Sequence, residues 1–195
     1  MLFRRMLAWE KKCGGDVLGG LGYVTETHER AQISAGHGAK ALFVIPLAQM
    51  GSLNAAEQTT ESRLWRKVIG CALPSADTLA RVAQRVSLDE IRHVIGAHYA
   101  KLKRNKALPA PKHGLIALVL DGHETMSTYL RCCESCLSRR VHTADGEREQ
   151  HYHRYVVASL VGEDFHLCLD MEEIGRGEGE VVAALRLIER VHAAP

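Results

Sequence analysis

Apolar residues repeat at helical spacing in the first part of this chain and at strand spacing in the rest. Over residues 73–86, behind the helix-entry pair Pro74–Ser75, Leu79, Val82, Ala83 and Val86 recur every three or four positions and predict an amphipathic helix. Ser87 and Glu90 then form a candidate capping box, so a second helix starts at once, with Ile91, Val94, Ile95 and His98 as its inner stripe. Two short capped helices joined this tightly suit a helix-turn-helix or a plain helical hairpin. The hairpin is favoured, because periodicity reports packing faces and not groove contacts. Upstream, residues 55–70 read as helix with Leu64, Trp65 and Val68 facing inward; residues 41–50 form a short apolar run that could be a buried helical segment broken at Pro46, which its periodicity does not settle. The glycine-rich stretch 13–22 reads as loop, since it lacks the Lys-Ser/Thr of a phosphate loop and the spacing of a dinucleotide fingerprint.

Near residue 113 the period changes. Residues 115–121 form a continuous apolar run of strand length. Residues 136–143 alternate loosely and end at Ala-Asp-Gly-Glu, a turn signal. The β-branched and aromatic run 151–161, a turn at 162–164 and an alternating run 165–174 follow. Gly175–Glu180 breaks the sheet, and a last helix carries Val181, Ala184, Leu185, Ile188 and Val191 on one face. The pattern predicts an α+β chain: a mostly helical basic domain with its linker over 1–112, and a domain of antiparallel strands then a helix over 113–195. Pro109 and Pro111 mark the linker.

Charge sharpens this division. The chain has a net charge of +2, yet Met1–Gly114 holds 17 Lys and Arg against 9 Asp and Glu, and Leu115–Pro195 holds 8 against 14. A basic half before an acidic half suggests a polyanion-binding module joined to a carboxylate-rich site. Lys101, Lys103, Arg104, Lys106 and Lys112 are the candidate phosphate contacts, and the commoner alternative is a solvated charge run. No apolar run approaches the roughly 18 residues that span a bilayer, and the first nine residues lack the features of a signal peptide. A cytoplasmic protein with six reduced cysteines and no membrane partner is expected.

Two clusters carry candidate chemistry. Asp121 is expected to end the 115–121 strand; an unpaired carboxylate there needs solvent, a partner or a cation, and Asp-Gly is also a common turn pair. Glu124, Asp170 and Glu172 are the acids that could join it around Mg²⁺. Cys133 and Cys136 form C-x-x-C, beside a third thiol, Cys132; His151 and His153 form H-x-H, which places both on one strand face. Two thiolates and two imidazoles suit tetrahedral Zn²⁺, with His123 in the same neighbourhood; a reduced surface C-x-x-C is the plain alternative. A thioredoxin-like redox role is disfavoured, because no helical pattern follows the C-x-x-C.

The segments RLWRKVIGCALPSADTLARV, LKRNKALPA, LVLDGHE, CESC, HYHRYVVASLVGE and LDMEEIGRGEGEVVAALRLIERV follow one another as in a group of bacterial insertion-sequence transposases. The chain resembles these DDE transposases, with their ribonuclease H-like catalytic domain, from about Gly51 to about Val191. The resemblance implies an incomplete ribonuclease H-like fold over 113–195, Asp121 as first catalytic acid and Mg²⁺ ligand, and DNA element ends as partner, with homo-oligomers in prospect. It places the second Asp and the Glu beyond the helix that ends near Val191. The expectation is therefore the front portion of a transposase, inactive alone because one carboxylate cannot hold two ions. The alternative is a non-catalytic, zinc-stabilised DNA-binding remnant.

Overall fold

The computed structural model describes residues 2–9, 11–12, 15–25, 33–108 and 116–193. The chain divides into two compact units, Met1–Ala107 and Leu108–Pro195. Lys112, Pro109 and Pro111, where the boundary is expected, lie outside the described residues.

The first unit is helical: α1 (Leu2–Trp9), α2 (Val17–Leu21), α3 (Ala35–Leu47), α4 (Leu53–Glu57), α5 (Arg63–Val68), α6 (Ala76–Arg85) and α7 (Leu88–Arg104). Serine sets most of the starts. The side chains of Ser34, Ser52, Ser62, Ser75 and Ser87 accept from backbone N–H groups in the first turns of α3, α4, α5, α6 and α7. Each such cap contributes about 1 kcal/mol. One core gathers Val44, Ile45, Trp65, Ile69 and Leu79, and a second joins Val17, Leu21 and Ala39 to Val86, Ile91 and Val94. Gly38 brings α3 close to α6: a Cβ there would lie 2.7 Å from Val82 Cγ1.

Several expectations change here. The glycine-rich stretch holds the short α2, started by Asp16, whose carboxylate accepts from Gly19 N. The helix expected over 55–70 is two helices: the Thr59 hydroxyl donates back to Ala56 O near the end of α4, and the Ser62 hydroxyl accepts from Leu64 N to start α5. Trp65, fully buried, is the centre of that region, while Val68 packs at its margin. Helix α3 runs one residue past Pro46. Helix α6 packs on α3 and α4, and α7 on α2, so the favoured two-helix hairpin does not form. The capping box is half made: Ser87 receives Glu90 N, but the Glu90 carboxylate turns to Thr25 N and Oγ1.

The second unit is a sheet of β1 (Ala117–Thr128), β2 (Leu137–Thr143), β3 (Gly146–Val161) and β4 (His166–Glu173), followed by α8 (Glu180–Ala193). All pairings are antiparallel and all involve β3. Strand β1 lines residues 151–161 along one edge of β3. On the other edge β2 pairs with 146–152 and β4 with 155–161, end to end. His153 and Arg154 fall in the gap between them. Helix α8 covers one face, with Ala183 and Leu187 against Val156, Ala158 and Ile174. The expected stripe is partly wrong: Ala184 and Val191 pack, whereas Val181, Leu185 and Ile188 face solvent. The helix carries two apolar stripes, and periodicity does not say which one meets the sheet.

Candidate metal centre

The gap at His153 is where the cysteine loop arrives. Because Leu137 pairs with Tyr152, extending the register by one residue sets Cys136 beside His153. The turn behind it returns Cys133 to the same point. Cys133 Sγ lies 3.3 Å and Cys136 Sγ 3.4 Å from His153 Nε2, and the two sulfurs are 3.7 Å apart. A Zn–S bond of about 2.3 Å and a Zn–N bond of about 2.0 Å give tetrahedral edges of roughly 3.8 Å between sulfurs and roughly 3.5 Å from sulfur to nitrogen. The triad already has nearly those edges. Cys133, Cys136 and His153 are the donors that converge among the described residues, and they could hold a metal ion.

His151 does not join them. It shares the His153 face but lies one strand repeat away, roughly 6.7 Å, opposite Ser138 and not beside Cys136. Its Nδ1 is buried with no hydrogen-bond partner. His123 also stays outside the group, as does Cys132, whose thiol turns to Leu130 O.

The surroundings favour ligation. His153 Nδ1 is 3.0 Å from Glu173 Oε1, and that hydrogen bond, opposed by burial, raises the histidine pKa. Such a carboxylate orients a ligating imidazole and leaves Nε2 for the metal. Burial pushes the Cys136 thiol up, but N–H groups of Cys133 and Cys132, with the Cys133 and His153 side chains, outweigh it and bring it down to about 7. Thiolate is the ligating form. Two arginines hold the loop: Arg131 donates to Cys133 O and Glu134 O, and Arg176 donates to Cys136 O. Tyr155 stands near, its phenol raised first by burial and then by the charges of Glu173 and Cys133.

Glu173, Arg131 and Arg176 are absent from the sequence-based expectation. C-x-x-C and H-x-H announce themselves by spacing. Glu173 comes to His153 only because β4 pairs with β3.

Asp121 is placed differently from expectation. It lies within β1, paired with Val157, and neither ends the strand nor forms a turn. Gly122 lies on the α8 side, where a Cβ would come 2.5 Å from the Glu180 carboxylate that reaches Arg154, so a side chain there would push that carboxylate aside. Asp170 and Glu172 do share a face, but it is the α8 face. Leu120 aligns with Ala158 and Asp170, and Gly122 with Val156 and Glu172, so Asp121 points to the opposite side. Both acids are committed to arginines: Arg190 Nε sits 2.6 Å from Asp170, and Arg190 Nη1 and Arg186 Nε sit 2.7 and 2.8 Å from Glu172. Glu124 is clamped by both Nη atoms of Arg139 at 2.9 and 2.8 Å. No group of three potential ligands converges at Asp121 among the described residues. These residues do not fit a two-ion Mg²⁺ site.

Lys103, Arg104 and Lys106 are exposed at the end of α7, and Lys101 is half-buried, its stem against Gly15. Basic residues there also complement the helix dipole. Among the described residues no helix is long and apolar enough to cross a membrane.

The second unit is therefore an antiparallel sheet with one covering helix and a Cys₂His candidate metal centre at a strand junction. Compared with protein-family models, curated proteins and solved structures, the chain matches none.

Proposed function

We propose that this chain is a zinc-stabilised DNA-binding protein of the ribonuclease H-like transposase type, acting by binding and not by cutting. The zinc reading is carried by the donor triad at 3.3, 3.4 and 3.7 Å, which matches a tetrahedral S₂N ligand set. What supports the transposase-type fold is the order of antiparallel strands then a packed helix, with Asp121 on the first strand. What argues against strand cleavage by these residues is the commitment of Asp170, Glu172 and Glu124 to arginines. In-line phosphoryl displacement on two ions needs carboxylates that bridge them. The DNA partner is duplex carrying element ends, met by the Lys101–Lys106 segment, and a homo-oligomer is its expected working state.

The test uses the full chain purified under reducing conditions. Metal analysis is expected to find about one Zn²⁺ per chain, and duplex DNA to be bound at low salt and left intact with Mg²⁺ or Mn²⁺. Metal-free folded protein would reject the zinc reading. Cleavage lost in Asp121→Ala would reject the non-catalytic one.

A further inference from the structure

Three protein donors define three corners of a tetrahedron. Where the fourth corner faces, and what would occupy it, follows from the burial of the three. Cys136 is fully buried and the His153 side chain is 12% exposed, whereas Cys133 is exposed. An ion held by the triad is thus covered from the sheet side and open on the Cys133 side. On that side Cys133 lines a cleft of about 540 Å³ with Arg131, Cys132, Glu134 and Arg176.

The cleft has the chemistry of an anion site. Two thiolates cancel the charge of Zn²⁺, and the Glu173 carboxylate sits on the other ring nitrogen of His153, away from the metal-facing Nε2. Among the residues that line the cleft, Arg131 and Arg176 outweigh the one carboxylate, Glu134. The two guanidinium groups are fixed, not floppy. Arg131 Nε is 3.1 Å from Cys133 O and its Nη2 is 3.1 Å from Glu134 O, while Arg176 Nε is 3.0 Å from Cys136 O. Those bonds leave Arg131 Nη1 and both Nη atoms of Arg176 to donate elsewhere. Fixed guanidinium N–H groups recognise phosphate oxygens with geometry as well as charge. Zinc sites with three protein ligands characteristically take an exogenous oxygen in the fourth position.

We infer that the fourth ligand of this centre is an oxygen of a phosphate group, held in the cleft by Arg131 and Arg176. The inference rests on the zinc reading above. The phosphate is either free inorganic phosphate or the backbone of bound nucleic acid.

Cobalt(II) replaces zinc as the probe, because its visible bands report both the number of thiolates and the fourth ligand. The full chain, loaded with one equivalent of Co²⁺, is titrated with inorganic phosphate and, separately, with a short DNA duplex. Phosphate is expected to shift the ligand-field bands saturably. Arg131→Gln and Arg176→Gln, each first shown to hold one equivalent of Co²⁺, are expected to need about tenfold more phosphate, the loss of one charge-assisted hydrogen bond. Duplex that produces the same shift at far lower phosphate concentration assigns the site to nucleic acid. Duplex that leaves the bands unchanged assigns it to free phosphate. Bands indifferent to phosphate overturn the inference, as does loss of a thiolate charge-transfer band in Cys132→Ser, which would show Cys132 closing the shell. Those two results leave the zinc reading standing; failure to bind Co²⁺ at all would overturn both.

Discussion

Glu173 Oε1 stands 3.0 Å from His153 Nδ1, so a residue at the end of β4 fixes the ring of a donor in the middle of β3. The pairing of Tyr155 with Glu173 brings this contact about and makes the candidate metal centre depend on the sheet. Glu173→Gln keeps the shape but removes the charge. It is expected to weaken metal binding by about 10- to 100-fold while retaining one equivalent, read by competition with a chelator of known affinity. Unchanged affinity would show that the carboxylate does not act on the ligand.

Removing a sulfur is more severe. Cys133→Ser or Cys136→Ser is expected to abolish stoichiometric zinc and lower the melting temperature of the metal-loaded chain, whereas His151→Ala keeps the zinc, since His151 lies outside the donor group. Metal analysis of the three variants, purified side by side, separates these outcomes.

The arginine–carboxylate network on the α8 face is expected to influence how the second unit resists acid. Arg186, with Gly175 N, holds Glu178 down to about 2. Burial raises Glu172, but Arg186 and Arg190 outweigh it and leave the group below its usual range. A carboxylate depressed in the folded state stabilises fully above the ordinary glutamate value, about 4.3. That contribution is lost as pH falls toward the folded value. Arg186→Ala is therefore expected to raise the acid-unfolding midpoint by roughly half a pH unit, followed by far-UV circular dichroism from pH 7 downward. An unmoved midpoint would mean that the network is not what resists acid.

Trp65 organises the helical unit. It is fully buried, and its indole N–H donates to Thr59 O at 3.1 Å and Thr59 Oγ1 at 3.0 Å. Trp65→Ala is expected to cost about 3–5 kcal/mol in chemical denaturation. A loss below about 1 kcal/mol would contradict the packing.

The proposed binding of duplex by the basic segment would carry a distinct signature. If Lys103, Arg104 and Lys106 each neutralise a phosphate, replacing one by Gln lowers the slope of log affinity against log salt by about 1. Equal slopes in all variants would locate DNA binding elsewhere.

Local signals in the sequence determined much of this protein. Ser75 and Ser87 marked helix starts because an N-cap hydroxyl needs only the next three residues. The runs 151–161 and 165–174, which fall on β3 (Gly146–Val161) and β4 (His166–Glu173), the turn at Ala144–Asp145 and the final helix followed from period and turn chemistry, which are equally local. Cys133, Cys136 and His153 were legible as donors because ligand types and short spacings are written in the chain. Tertiary structure alone decided which donors meet. Register at Leu137 and Tyr152 chose His153 over His151, and the pairing of β4 with β3 supplied Glu173. It also decided the fate of the acids. Asp121 and Asp170 differ in face because a strand alternates sides at every residue, and only the register across β3 says which sides coincide. The same holds for α8, where two apolar stripes were available and the contact of Ala183 and Leu187 with Val156 and Ala158 selected one. Periodicity reports that a face is apolar, but long-range pairing determines what that face touches.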